Sequence, residues 1–370
     1  LDSQYKFNGT GAGTTAFIID TGIRADHVEF TGRVLPGYNV VADANGTNDC
    51  NGHGTHVSGT VGGSTWGVAK SVNLVPVRVL DCTGSGTLSG VIAGIDWVAG
   101  STLRPAVANM SLGSAKSSTV NAAVAGAYNK GVTMVVAAGN SNADACNYSP
   151  SSEPTAITVG ATTNTDARAS YSNYGTCLDV FAPGTSITSA WYTGTTATNT
   201  ISGTSMASPH VTGVAALALQ ANPTSSPAQI TNFITTYATL NKVTSAGTGS
   251  PNRLLLSLAS NAPAVLKTVA IKSLTGKSSK AGTGWRAQVT ATVRDLSSSL
   301  TVAGATVTGN FVPGGTLSCV TTSTGSCTLT SSTISKLTAS TSFTVSNVSG
   351  NGMSYDASQN TVTQISISKP

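Results

Sequence analysis

Short apolar runs recur along the first two thirds of the chain, separated by stretches in which apolar residues return every three or four positions. The runs Thr14 to Ile19, Asn73 to Val79, Val107 to Ser111, Val132 to Ala137 and Ala156 to Val159 read as buried strands. The periodic stretches Ser89 to Val98, Ser118 to Asn129 and Ser205 to Gln220 read as helices. Alternation of this kind predicts an α/β fold, a mainly parallel sheet with helices on both faces. The ligand crevice of such a sheet lies beyond the carboxyl ends of its strands. Asp20, Ser111 and Asn140 all fall at or just after predicted strand ends.

The pattern changes near Asn261-Ala-Pro263. Beyond it the helical period disappears, and alternating segments such as Val265 to Ile271, Trp285 to Val293 and Gly304 to Phe311 are punctuated by Gly, Ser, Thr and Asn. These predict a small all-β sandwich of antiparallel strands. The expected domains are therefore residues 1–260 and 264–370. Cys319 and Cys327 flank a turn-like Thr-Thr-Ser-Thr-Gly-Ser stretch inside the second, where a hairpin staple is expected.

Composition narrows the class. Only 9% of the 370 residues are charged, and Gly, Ser and Thr are abundant, which suits a compact secreted protein. The net charge of +5 comes without a Lys/Arg run or interleaved aromatics, so nucleic acid is not an expected partner. No apolar stretch approaches the roughly 20 residues of a membrane span, so no membrane association is expected. The six cysteines are even in number and lack zinc spacing, which favours disulfides in an oxidising compartment; their pairing is open at this level. The chain opens at Leu1 with no start Met or signal-like segment, so processing or truncation is expected to have removed its beginning.

Three segments offer the parts of a nucleophilic machine: Gly203-Thr-Ser205-Met-Ala-Ser-Pro-His210, Asn51-Gly-His53-Gly-Thr-His56-Val57, and Asp20 closing the apolar run Ala16-Phe-Ile-Ile19. A serine hydroxyl is a poor nucleophile at neutral pH and needs a base, and an imidazole with pKa about 6.5 suits that task. His53 is the expected base, with His56 one turn further on in a structural hydrogen bond. Asp20 is expected to accept the His53 Nδ1 proton. Alone it would pass for a solvated turn acid. Ser205 also fits the N-cap of the helix that follows, whose start would favour an anion. Pro209 early in that helix removes the hydrogen bond to the Ser205 carbonyl, so a kink is expected. Ala137-Ala-Gly-Asn140 offers a side-chain amide as a further oxyanion donor.

Together, Asp20-Thr-Gly, His53-Gly-Thr-His, Ala138-Gly-Asn140 and Gly203-Thr-Ser-Met-Ala-Ser-Pro resemble the four motifs of the subtilisin-like serine proteases. The resemblance covers about residues 10 to 260 and is nearest the proteinase K branch, through Ser149-Pro-Ser-Ser-Glu-Pro154, Phe181-Ala-Pro-Gly184 and Asn140-Ser-Asn-Ala-Asp144. It implies a secreted, monomeric endopeptidase acting on proteins or peptides through an acyl-enzyme, matured from a form with a propeptide. It implies Ser205 as nucleophile, with the oxyanion held by Asn140 and the Ser205 amide. Substrate backbone would pair with Gly84-Ser85-Gly86 and Ser111-Leu112-Gly113. The first side-chain pocket would be lined by Leu112, Ala137, Ala138, Gly139 and Tyr148, giving a preference for apolar or aromatic residues, and Leu88 with Leu112 would border a second.

The same resemblance implies Cys50–Cys82 and Cys146–Cys177 disulfides, and a structural calcium held by Pro154, Ala156 and Asp179. A second calcium site of some relatives uses acids just before the histidine; here the matching positions are Asn39 and Ala44, with Asp43 and Asp49 nearby. Val57 stands where some relatives carry a cysteine. Residues from about 264 resemble immunoglobulin-like modules of secreted bacterial enzymes, through Val302-Ala-Gly-Ala-Thr-Val-Thr-Gly309 and the Cys319/Cys327 hairpin. Either a binding module or a spacer fits, and the single tryptophan there, Trp285, favours the spacer. The rivals for the whole chain are a noncatalytic subtilisin-like binding or adhesion protein and an α/β-hydrolase. The second needs Gly-x-Ser-x-Gly around the serine, which Gly-Thr-Ser205-Met-Ala lacks.

Overall fold

The computed structural model describes all residues except 1–4, 6, 8, 258–266, 297–298 and 351–352. The chain forms two compact units, Leu1–Ala262 and Pro263–Pro370. The expected change of character at Asn261-Ala-Pro263, and the start of the segment from Val265, lie outside the described residues.

In the first unit nine strands form one sheet, in the order Thr239–Leu240, Arg253–Leu254, Val180–Pro183, Ile157–Thr162, Thr133–Ala137, Ala106–Met110, Thr15–Asp20, Asn73–Arg78 and Tyr38–Asn39. All neighbours run parallel except the first pair. Every residue of Thr15–Asp20 is buried, as a strand covered on both faces must be. Phe17 and Ile19 point into the core beneath helices α2 (Leu88–Gly100) and α3 (Ser118–Asn129). Helix α4 (Thr204–Ala221) lies across the sheet and packs against helix α1 (His53–Gly62). From Thr15–Asp20 the chain goes out to the edge strand Tyr38–Asn39, returns as Asn73–Arg78 beside Thr15–Asp20, then crosses to Ala106–Met110 on the other side. Strand order reverses there, so Asp20 and Ser111 flank the switch point where a crevice opens.

Helix α3 spans the residues expected of it, with Ser117 Oγ accepting from the Val120 N–H. Helix α4 begins at Thr204 with Gly203 as its cap residue, so Ser205 stands inside the first turn and is not the N-cap. Helix α5 (Pro227–Tyr237) was not anticipated, although Ser226 and Gln229 form a capping box with Pro227 at the first position.

In the second unit, strands Lys267–Ala281 and Gly284–Asp295 form a long hairpin in a five-stranded sheet, and Thr306–Val312 and Ser340–Ser349 are central to a four-stranded one. One core takes side chains from both sheets, including Val289, Val293, Val307 and Phe343. Three disulfides join Cys50–Cys82, Cys146–Cys177 and Cys319–Cys327. The first two close loops separated by 32 and 31 residues, each worth roughly 3–4 kcal/mol in the chain-entropy account.

Candidate active site

Asp20 ends its strand fully buried, with its carboxylate against His53: Nδ1 lies 2.8 Å from Oδ1 and 3.0 Å from Oδ2. The Thr21 N–H donates to Oδ1 at 2.7 Å. His53 is the first residue of α1, after Gly52 at φ 111°. Only glycine takes that backbone freely, and a side chain there would meet the rings of Trp191 and Tyr192. Burial of the His53 ring disfavours its charge, but the Asp20 carboxylate, the hydrogen bond to it and the charge of Asp49 outweigh burial and hold the imidazole above its ordinary value. The side chain keeps 25% of its surface exposed, so one ring edge meets the cleft.

Asp49 sets the spacing between Asp20 and His53. Its Oδ1 accepts from Thr21 Oγ1 (2.9 Å), Asn51 N (3.0 Å) and Gly52 N (2.9 Å), and its Oδ2 from Thr55 N (2.9 Å) and Thr55 Oγ1 (2.6 Å). The turn after the first strand and the start of α1 are thus tied to one buried carboxylate. His56 faces away from the cleft, with Nε2 3.0 Å from the Ile187 carbonyl and 3.2 Å from that of Asn199. Burial pushes its pKa down to about 4, so the ring is neutral and donates there.

Ser205 Oγ donates to the Ser111 carbonyl at 3.2 Å; among the described residues no hydrogen bond joins it to His53. Pro209 frees the Ser205 carbonyl, as expected, and that carbonyl accepts from Ser111 Oγ at 2.8 Å. Ser111 Oγ accepts in turn from Asn109 Nδ2 at 2.9 Å, and Asn109 Oδ1 takes the hydroxyls of Ser208 (2.8 Å) and Thr212 (2.9 Å). A buried polar chain therefore fastens the start of α4 to the strand Ala106–Met110.

Asn140 follows Gly139, whose φ is 101° and whose missing side chain leaves room for the Asn173 amide. Asn173 holds the turn, donating to the Ala138 carbonyl (2.8 Å) and accepting from the Ser141 and Ala143 N–H groups (3.0 Å each). Asn140 Oδ1 accepts from Thr204 N (2.8 Å) and Thr204 Oγ1 (2.9 Å), so those donors orient the amide. Asn140 Nδ2 and Ser205 N both lie close to Gly203: a carbon built there would be 3.5 Å from Nδ2 and 3.6 Å from Ser205 N. Both donor nitrogens lie at the start of helix α4, its positive end.

The cleft divides in two. A cavity of ≈ 470 Å³ is bordered by His53 and Ser111, by Gly84, Ser85 and Gly86 on one side and by Leu112 and Gly113 on the other. Leu88 is 47% exposed and lines it, so it is not a core residue. Asp81 shapes the first rim, its Oδ1 accepting from Thr83 N (2.8 Å) and Ser85 N (3.0 Å). A second cavity of ≈ 350 Å³ is lined by Gly113, Ala137, Ala138, Gly139, Asn140 and Tyr148, among others, with no charged side chain. Leu112, expected in both side-chain pockets, lines the first cavity together with Leu88 and packs on the core beneath α2 and α3.

Asp179 lies alongside the segment that follows Pro154 and Ala156, with Oδ2 accepting from Thr158 N at 2.8 Å and its own N–H donating to the Thr158 carbonyl at 3.0 Å. Burial pushes its pKa up to about 6, against the Thr158 hydrogen bond and the charge of Arg253. A desolvated carboxylate so placed fits a hard cation. The acids before His53 do not: Asp43 pairs with buried Arg78 at 2.5 Å, the five donors above occupy Asp49, and Asn39 bonds the backbone of Val41.

A parallel sheet, a switch-point crevice, a buried Asp-His pair and a serine at a helix start that bonds the Ser111 carbonyl of the same cleft define a class, that of the serine hydrolases with an α/β sheet. The chain belongs to the subtilase family, whose profile matches residues 11–285. It is 62% identical over 255 residues to an extracellular serine proteinase of Thermus sp. (strain Rt41A), covering 69% of this chain and 62% of that protein. It is 58% identical over 258 residues to alkaline serine exoprotease A of Vibrio alginolyticus, covering 70% and 48%. The chain thus spans about half to three fifths of the length of these relatives. The crystal structure of a cold adapted subtilisin-like serine proteinase matches with TM-score 0.68 and 55% identity, over 70% of this chain and 94% of that one. No described helix is long and apolar enough to cross a membrane.

Asp49, Asn109, Asn173 and Thr204 enter the site without having been singled out as parts of it. Asn109 had a readable signal, an amide inside the apolar run Ala106–Met110, which must find partners if buried. Asn173 had none.

Proposed function

We propose that the chain is a secreted serine endopeptidase of the proteinase K branch, cleaving peptide bonds through an acyl-enzyme. The observation that carries this is the buried Asp20 carboxylate on His53 Nδ1, which leaves Nε2 free to accept a proton at the cleft. This mechanism requires Ser205 Oγ to leave the Ser111 carbonyl for His53 Nε2 by rotation about its Cα–Cβ bond. Ser205 Oγ attacks the scissile carbonyl as its proton passes to Nε2, and the carbonyl oxygen becomes an anion beside Asn140 Nδ2 and Ser205 N. His53 then returns the proton to the departing amine, and water repeats the sequence on the ester.

Substrate backbone lies between Gly84–Gly86 and Ser111–Gly113 as an added strand, which is indifferent to side-chain identity. The uncharged cavity at Ala137–Gly139 and Tyr148 takes an apolar or aromatic residue. Calcium held by Asp179 and the carbonyls of Pro154 and Ala156 would supply positive charge that stabilises the fold away from the cleft. The second unit is an immunoglobulin-like accessory, and the enzyme acts as a monomer matured from a propeptide-bearing form.

The test is covalent labelling. Phenylmethanesulfonyl fluoride is expected to modify Ser205 alone, with activity lost in proportion; an adduct elsewhere, or full activity after complete reaction, overturns the reading. Asn140→Ala is expected to lower kcat by about 10²–10³-fold with KM little changed, because its donor acts on charge present only in the transition state. Steady-state kinetics on a peptide anilide check this.

A further inference from the structure

The two units differ sharply in charge. Residues Pro263–Pro370 hold 8 of the 19 basic residues and 2 of the 14 acidic ones, net +6, which leaves Leu1–Ala262 with 11 against 12, net −1. The charge within the second unit is also polarised. Asp295 stands opposite Val269, and the Asp356 N–H donates to the Val269 carbonyl, so both acids sit at the open end of the long hairpin. Lys280 pairs with Trp285 at its closed end, eleven residues from Val269, roughly 35 Å away at strand rise.

Five of the eight cations gather at that closed end: Lys277, Lys280, Arg286, Lys336 and Lys369, all exposed. Lys336 follows directly on the bridge of Ile334 and Ser335 to Trp285 and Gly284, and Lys369 Nζ donates to the Lys336 carbonyl at 3.0 Å. Arg286 Nε reaches the Thr333 hydroxyl at 3.4 Å. Both contacts are to neutral oxygens. Lys280, Lys336 and Lys369 ring a cavity of ≈ 300 Å³ with Trp285 and Pro370 among its walls.

We propose that this hairpin tip binds an acidic polysaccharide, a glycan bearing carboxylate or sulfate groups. The cavity is at the lower end of small-ligand sites and admits one sugar residue of a chain. Three lysines around it meet an anionic substituent on that residue. The outer face of the sheet continues from Lys277 and Arg286 into cross-strand pairs of neutral donors and acceptors, Gln288 with Thr330, Thr290 with Thr328 and Thr292 with Ser326, which suit sugar hydroxyls. Nucleic acid fits less well, because Trp285 is buried and donates its indole N–H to the Thr338 carbonyl, so no aromatic face is offered to a base. A membrane fits less well, because the charges surround a concavity and one apolar side chain, Leu337 at 89% exposure, projects beside them.

The test uses the full chain and affinity electrophoresis through polygalacturonate, dextran sulfate and neutral dextran. Retardation is expected in one or both anionic polymers and not in neutral dextran, and it should fall steeply with salt. The two anionic arms tell carboxylate from sulfate as the substituent. Combining Lys280→Gln, Lys336→Gln and Lys369→Gln is expected to weaken binding at least about tenfold. Combining Lys267→Gln, Lys272→Gln and Arg294→Gln, the same loss of net charge at the other end, should change it less than about twofold. Thermal unfolding and peptide hydrolysis are expected to match the parent in both variants. Equal weakening in the two variants, no retardation in either anionic polymer, or tighter binding to duplex DNA or to phosphatidylserine vesicles overturns the proposal.

Discussion

Ser205→Ala is expected to lower kcat on a peptide substrate by about 10⁶-fold while leaving the chain folded. The size is that found for subtilisin when the same triad member is removed; the separation of activity from stability follows from this structure. Among the described residues the hydroxyl has one hydrogen bond, to the Ser111 carbonyl, whereas the bond that anchors the start of α4 runs from Ser111 Oγ to the Ser205 main chain and survives the change. Losing one partly exposed hydroxyl contact costs about 1 kcal/mol or less. The oxyanion donors and the cleft remain, so a slow hydrolysis above the uncatalysed rate should persist. Kinetics with thermal unfolding on the same sample check both halves. Retention of activity within tenfold would remove Ser205 as nucleophile, and unfolding of the variant would remove the claim that the helix start is held by its main chain.

Much of the first unit was legible because buried parallel strands are continuous apolar runs. The five predicted strands all form, within two residues at most ends, and the three motifs sit at their carboxyl ends or at helix starts. What escaped reading depended on distant partners. Helix α4 starts one residue early because Asn140, sixty-four positions away, accepts the Thr204 N–H and so does the work of a local cap. The strand Lys267–Ala281 was expected to stop near Ile271, since Thr275 to Lys280 carry no apolar alternation; register with Gly284–Asp295 extends it as an exposed polar hairpin. Asp49 was visible only as an acid before the histidine motif, yet five hydrogen bonds make it the brace between the Asp20 turn and the His53 helix start.

Asp20→Asn is expected to lower kcat/KM by about 10⁴-fold at neutral pH and to move the acid limb of its pH profile downward. Two effects combine. The amide can donate to His53 Nδ1 where the carboxylate only accepts, which places the ring proton on Nε2, the wrong nitrogen for taking one from Ser205. The charge that stabilised the imidazolium is also gone. In the parent, burial disfavours the protonated ring but Asp20 and Asp49 together hold its pKa above 6.5, so activity should be lost as pH falls through a midpoint above that value. Without Asp20, burial prevails over the distant Asp49, His53 stays neutral to lower pH, and the residual activity should fall off later on acidification. The same sign applies to stability: a raised histidine pKa adds stability below the unfolded value that disappears as pH rises through the folded one. The variant should therefore lose stability relative to the parent most at acid pH. Profiles of kcat/KM from pH 4 to pH 9 on both proteins decide it; an acid limb that stays in place, or a loss smaller than tenfold, would mean that Asp20 neither charges nor orients His53.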